Sequence, residues 1–155
     1  MSLAICLVPL LAGCGSLIEA SHPPASSLVL ASRLADGETA AAIISRYRRA
    51  HGLGAVFPDA TLTRAAEVQA RTVASAGSLS HGDFPSRMAS IGIKGIAAEN
   101  LSAGRSSVAE AITSWEASKG HNENLLLDGI RRIGVARIDT PGVGYHEYWA
   151  LVLSQ

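Results

Sequence analysis

Cysteine is nearly missing from this chain: 2 residues in 155, Cys6 and Cys14, both close to the start. A domain beyond them has no disulfide to lean on and must fold on its apolar core alone. Aromatic residues are scarce, at 5%. An excess of either charge is also absent: 13 Lys+Arg balance 13 Asp+Glu, and the formal net charge is zero. That argues against the strongly basic face a nucleic-acid partner would require, and equally against a polybasic membrane anchor. No apolar run reaches the roughly 20 residues a membrane-spanning helix needs. What remains is ordinary globular material, 48% hydrophobic and 17% charged, which argues against disorder. The length suits one domain that buries about two thirds of its unfolded surface. No internal repeat or low-complexity tract is present.

The first eighteen residues carry no charged side chain, and residues 3–12 are apolar except for Pro9. That length matches the apolar region of a signal peptide. The run ends in Leu11-Ala12-Gly13-Cys14, which resembles a bacterial lipobox. Small residues there admit a peptidase, and the thiol of Cys14 accepts the lipid and becomes the new N-terminus. No Lys or Arg precedes the run, a departure from the usual pattern. The expectation is a lipoprotein signal peptide over 1–13, a linker over 14–35 after lipidated Cys14, and a folded domain over 36–155. The linker assignment rests on His22-Pro23-Pro24 and Ser26-Ser27, which are turn and extended signals. One acyl chain anchors only marginally, so the several chains of a lipoprotein suit a stable anchor.

Within the domain, Ala40, Ile43, Ile44, Tyr47 and Ala50 recur at helical spacing and predict a helix over 38–51. A second helix is predicted over 59–77, with Asp59 as N-cap and Gly77 just past the end. Phe84-Pro85 opens a short helix stopped at Gly92. Residues 96–101 read as extended. Ser107-Val108-Ala109-Glu110 is a capping box that starts a third long helix ending at Lys119-Gly120, with one further turn over 121–126. Strands are expected over 133–138 and 145–153, joined by a turn at 141–144. By alternation Tyr145 and Trp149 share one face of the last strand and Tyr148 takes the other, with one face in the core. Trp115 lies on an apolar stripe and reads as core. The Arg46, Arg48, Arg49 group and Arg131-Arg132 read as solvated faces, and His51 and His146 as structural or surface residues. Helices followed by a closing hairpin imply an α+β layered domain.

Three segments place an acid–base or metal-ligating residue among turn residues: Leu79-Ser80-His81, Ala98-Glu99-Asn100 and Gly120-His121-Asn122-Glu123-Asn124. None has local metal-ligand spacing. In order, however, the chain resembles the CAP superfamily (SCP, or pathogenesis-related 1-like domains), nearest its small bacterial extracellular branch. The residues that carry the resemblance run from Arg46 and Gly52-Leu53, through Asp59-Ala60-Thr61-Leu62, Ala66, Gln69 and Ala70. They continue with Gly77-Ser78-Leu79-Ser80-His81, Phe84, Arg87 and Gly92, then Ala98-Glu99-Asn100-Leu101 and Gly104. They end with Ala111-Ile112, Trp115, Ser118, Gly120-His121, Asn124-Leu125-Leu126, Ile133-Gly134-Val135-Ala136 and Tyr148-Trp149.

The resemblance implies a three-layer α-β-α sandwich with a shallow central cleft. It also implies a divalent-metal site from His81, Glu99 and His121, with zinc the best match. The fourth ligand of the fuller family pattern falls on Ser118, which cannot replace a carboxylate. Glu116 points elsewhere on its helix and does not inherit the role. Ser118, Asn100 and Asn124 are expected to border the cleft, the two Asn as loop-pinning residues. Two imidazoles and one carboxylate could hold zinc with an open water position, or act without metal as an acid–base pair. No Ser or Cys has a clear claim as nucleophile. The function expected is an exported, lipid-anchored, non-catalytic domain on the bacterial envelope that binds a lipid, glycan or protein in a His/Glu-lined cleft. The alternative is a metal-dependent hydrolase of peptide or cell-wall bonds.

Overall fold

The computed structural model describes residues 25–140 and 144–155, with side chains from Asp36 onward. The signal segment, the lipobox and the 141–143 part of the expected turn lie outside the described residues. The chain forms α1 (Ala25–Ala50), β1 (Phe57–Pro58), α2 (Ala60–Ala76), α3 (Phe84–Ser90), β2 (Ala97–Ala103), α4 (Val108–Glu116), α5 (Lys119–Leu125), β3 (Arg132–Asp139) and β4 (Glu147–Ser154). The helix expected to open near Glu38 opens at Ala25, so 25–35 is helical rather than extended.

Local chemistry sets most of the other boundaries. The Asp59 carboxylate accepts from Thr61 N and Leu62 N, and Gly77 closes α2 in the left-handed region at φ 64°. Burial works to raise the Asp59 pKa, but those two backbone N–H groups and the Arg132 guanidinium outweigh it and hold the carboxyl below its ordinary range. Ser107 caps α4 by accepting from Glu110 N. The return half of that capping box lands one residue early, because Glu110 Oε2 takes the N–H and hydroxyl of Ser106. The expected single helix breaks at Ala117–Ser118, and Gly120 falls inside the first turn of α5 rather than at a stop.

The strands form one sheet in the order β1-β3-β4-β2. β1 is parallel to β3, while β3–β4 and β4–β2 are antiparallel, with Ala136 opposite Ala150 and Leu101 opposite Ala150. β1 has no counterpart among the expected strands; two residues are too few for any alternation to show. Alternation divides the sheet between two cores. Ile133, Val135, Trp149, Leu151 and Leu153 face α1, α4 and α5. Leu101, Ala136, Tyr148, Ala150 and Val152 face α2 and α3. The fold is therefore the three-layer α-β-α arrangement. Both faces of β4 are core, contrary to the expectation of one, since helices cover each side. Tyr145 precedes β4 and is exposed, with its ring edge-on to Tyr148 at 6.2 Å. Trp115 is core, as its stripe implied.

Two contacts fix the layers. Gly134 lies where α2 crosses β3, and a Cβ there would overlap the backbone of Leu62 and Thr63. No other residue allows that approach. On the opposite side Arg48, expected on a solvated face, is 0% exposed. Its guanidinium donates to the carbonyls of Gly54 at 2.9 Å, Leu125 at 2.7 Å, Leu127 at 2.9 Å and Ile130 at 3.3 Å. Burial pushes its pKa down, as does Arg131, while Asp128 opposes them. Burying a cation costs several kcal/mol, and hydrogen bonds to charged groups contribute about 1.5–3 kcal/mol each. Four of them offset the cost without a carboxylate partner. Arg46 and Arg49 are exposed, as expected.

Arg48→Ala strands the buried carbonyls of Leu125 and Ile130 and should cost at least ~3 kcal/mol of unfolding free energy. Arg48→Lys should recover little, since one ammonium cannot span four divergent acceptors. Urea denaturation of the three proteins reads both effects.

Candidate functional site

The site lies at the β2 edge, where the two helical layers reach the same strand. Glu99 and Asn100 are adjacent on β2 and face opposite ways. Glu99 turns to the α2–α3 side and Asn100 to α5. Gly77 ends α2 and releases the loop that carries His81. Gln69, buried on α2, donates from Nε2 to Ser80 O and pins that loop.

Glu99 is 4% exposed, and each of its oxygens is engaged. Oε1 lies 2.9 Å from His81 Nδ1 and Oε2 lies 2.8 Å from Arg87 Nη2. A carboxylate only accepts, so Nδ1 of His81 carries the hydrogen and Nε2 is left for a ligand. The His81 side chain is 52% exposed. Arg87, on α3, also donates to His81 O at 3.0 Å and stacks over the Phe84 ring at 5.4 Å. A cleft of about 400 Å³ opens beside this group, walled by His81, Phe84, Pro85, Ala97, Ala98, Glu99, Asn124 and Leu127.

α5 supplies the other wall. Asn124 donates to Glu99 O at 3.3 Å and to Asn100 Oδ1 at 2.9 Å. Asn100, fully buried, donates to His121 O at 3.0 Å. These are the bonds of residues that pin loops. Asn122 accepts from the Tyr47 hydroxyl at 2.8 Å, which ties α5 to α1. His121 is half-buried; burial lowers its pKa, and the charge His81 can carry lowers it further. Ser118 stands at the N-cap of α5 with no side-chain capping bond, outside the cleft wall.

The structure thus brings His81, Glu99 and Asn124 together, sets His121 within electrostatic reach, and places Asn100 behind the wall. Sequence reasoning gives Arg87 and Gln69 no role at a site. Their partners lie on other elements, and no local spacing signals them. Among the described residues no group of three or more His, Cys, Asp or Glu is arranged to hold a metal ion. Both oxygens of Glu99 are hydrogen-bonded, one to His81 and one to Arg87, so an ion there would compete with those contacts.

A match to the family model described as "Cysteine-rich secretory protein family", CAP, spans residues 42–153. The chain belongs to the CAP family. Solved structures agree in fold. An outer surface protein of Borrelia burgdorferi superposes with a TM-score of 0.66 at 19% identity, covering 77% of this chain and 92% of its own. An extracellular SCP-domain protein of Bacillus anthracis gives 0.71 at 19% identity, covering 87% of this chain and 45% of its own. A cysteine-rich secretory protein of Staphylococcus aureus gives 0.65 at 15% identity, covering 79% and 38%. This CAP chain therefore spans less than half the length of the latter two. No match was found among curated protein sequences.

The lowered His121 pKa has a definite sign. The folded state holds the imidazole neutral at pH values where the unfolded chain, near 6.5, is already taking up protons. This contribution is intact above pH 6.5 and is lost as pH falls through the lower folded value. Denaturation of wild type and His121→Gln at pH 7.5 and pH 5 should show the larger acid loss in wild type.

Proposed function

We propose that this CAP domain is an exported, envelope-anchored binding module whose cleft takes a lipid, glycan or protein without turning it over. The supporting observation is the His81–Glu99–Arg87 group. The buried carboxylate holds Nδ1 of the ring, and His81 lines the cleft with the apolar Phe84, Pro85 and Leu127. Among the described residues no hydrogen bond joins a hydroxyl or thiol to His81 or His121. A nucleophile–base pair, the usual mark of acyl transfer, is missing from that set. The arrangement suits recognition, with one oriented polar group against a shaped apolar surface.

Export is supported by the apolar run ending in Leu11-Ala12-Gly13-Cys14 and by the outer-surface and extracellular descriptions of the structural relatives. The membrane is then one partner, reached through the lipid on Cys14, and the cleft ligand is the other.

Calorimetric titration with envelope-lipid vesicles and with soluble cell-wall glycans tests the cleft. His81→Ala should weaken whichever ligand binds by at least tenfold, about 1.4 kcal/mol, measured at a temperature where the variant is fully folded, since it also takes one hydrogen-bond partner from buried Glu99. Turnover of a peptide or cell-wall substrate that disappears in His81→Ala would replace this reading with a hydrolase. Anchoring is separate: labelled fatty acid should enter the wild-type protein in cells and not Cys14→Ser, and equal labelling of both would remove the anchor.

A further inference from the structure

The buried carboxylate of the cleft already has a cation. We propose that Arg87 stands where a divalent ion would otherwise be drawn to Glu99, and so makes the cleft of this chain metal-independent. The proposal holds whichever ligand the cleft takes, because it concerns the charge beside Glu99.

Each oxygen of the carboxylate already has a hydrogen-bonding partner, one of them a permanent cation. Oε2 is held by Arg87 at 2.8 Å and Oε1 by His81 Nδ1 at 2.9 Å. Arg87 is itself held from two other sides, by the carbonyl of His81 at 3.0 Å and by the Phe84 ring. It lies in α3, with Asp83 accepting from Ser86 N and Pro85 at the start. These contacts fix its reach. A surface arginine moves aside for an incoming ion at little cost; this one would give up a charge-assisted bond to a carboxylate whose side chain is 1% exposed. The carboxylate has little room to follow, because its side chain is 1% exposed.

The histidine geometry agrees. With Nδ1 turned to Glu99, any ion at His81 would sit on Nε2, on the far side of the ring from the carboxylate. Glu99 would then orient the ligand rather than bind the metal. The described chain offers no third donor to complete such a centre. The positive charge beside Glu99 is covalently built in and indifferent to metal supply.

Zinc titration of chelator-treated full-length protein, followed by calorimetry and thermal shift, tests this. Wild type should bind no stoichiometric zinc at tens of micromolar, with a shift below ~1 °C. Arg87→Met frees Oε2 while keeping the bulk, and should gain zinc affinity at least tenfold; Glu99→Gln added to it should remove the gain. Stoichiometric zinc binding by wild type that His81→Ala abolishes would overturn the proposal. So would a folded Arg87→Met protein with no gain. Where Arg87→Met fails to fold, the wild-type and His81→Ala titrations decide alone.

Discussion

The arrangement depends on one buried cation whose hydrogen bonds among the described residues all go to backbone carbonyls. Arg48 stands near the end of α1 and reaches the carbonyls at the end of α5 and along the approach to β3. Those groups would otherwise need water in a region that excludes it. Five donors in one planar fork can satisfy several divergent acceptors at once, which no other side chain does. Because Leu125 and Leu127 are among the acceptors, α5 is fixed relative to α1, and Tyr47 adds a second tie through Asn122. His121 and Asn124 ride on α5. The wall of the cleft is thus positioned from the far layer of the molecule, through a residue that never touches the cleft.

How much of this is legible in the sequence depends on the range of the interaction. Asp59, Gly77 and Ser107 announce their helix ends because a cap acts within three or four residues. The apolar runs of β3 and β4, set off by the turn residues between them, are legible for the same local reason. Arg48 is not: within Arg46-Tyr47-Arg48-Arg49 it reads like its neighbours, and only tertiary packing separates the buried guanidinium from the exposed ones. The break at Ala117–Ser118 is hidden as well, since neither residue is a helix breaker and Gly120, two residues on, resembles a stop. At the site, His81 and Glu99 could be nominated by residue type and setting. Their partners could not, because Arg87 and Gln69 act across element boundaries.

The charge pattern at the cleft follows from burial. A carboxylate removed from water must be paired or hydrogen-bonded. Glu99 is both, with an imidazole on one oxygen and a guanidinium on the other. The same pairing that makes its burial tolerable also fixes the direction of the imidazole. Stability and orientation therefore share one set of bonds, and no separate element is needed to aim His81 into the opening.

The two edges of the sheet are protected by different means. Among the described residues β1 and β2 are the outer strands. An outer strand is a template on which another chain can add. β1 is two residues long, and one of them, Pro58, has no N–H to offer. β2 is longer, but the Trp115 indole N–H donates to Leu101 O at 3.1 Å and Asn124 to Glu99 O at 3.3 Å. Side chains of α4 and α5 thus take the carbonyls that an incoming strand would seek. The same asparagine that frames the cleft helps keep neighbouring copies from zipping edge to edge, a hazard that grows when molecules are crowded onto one surface.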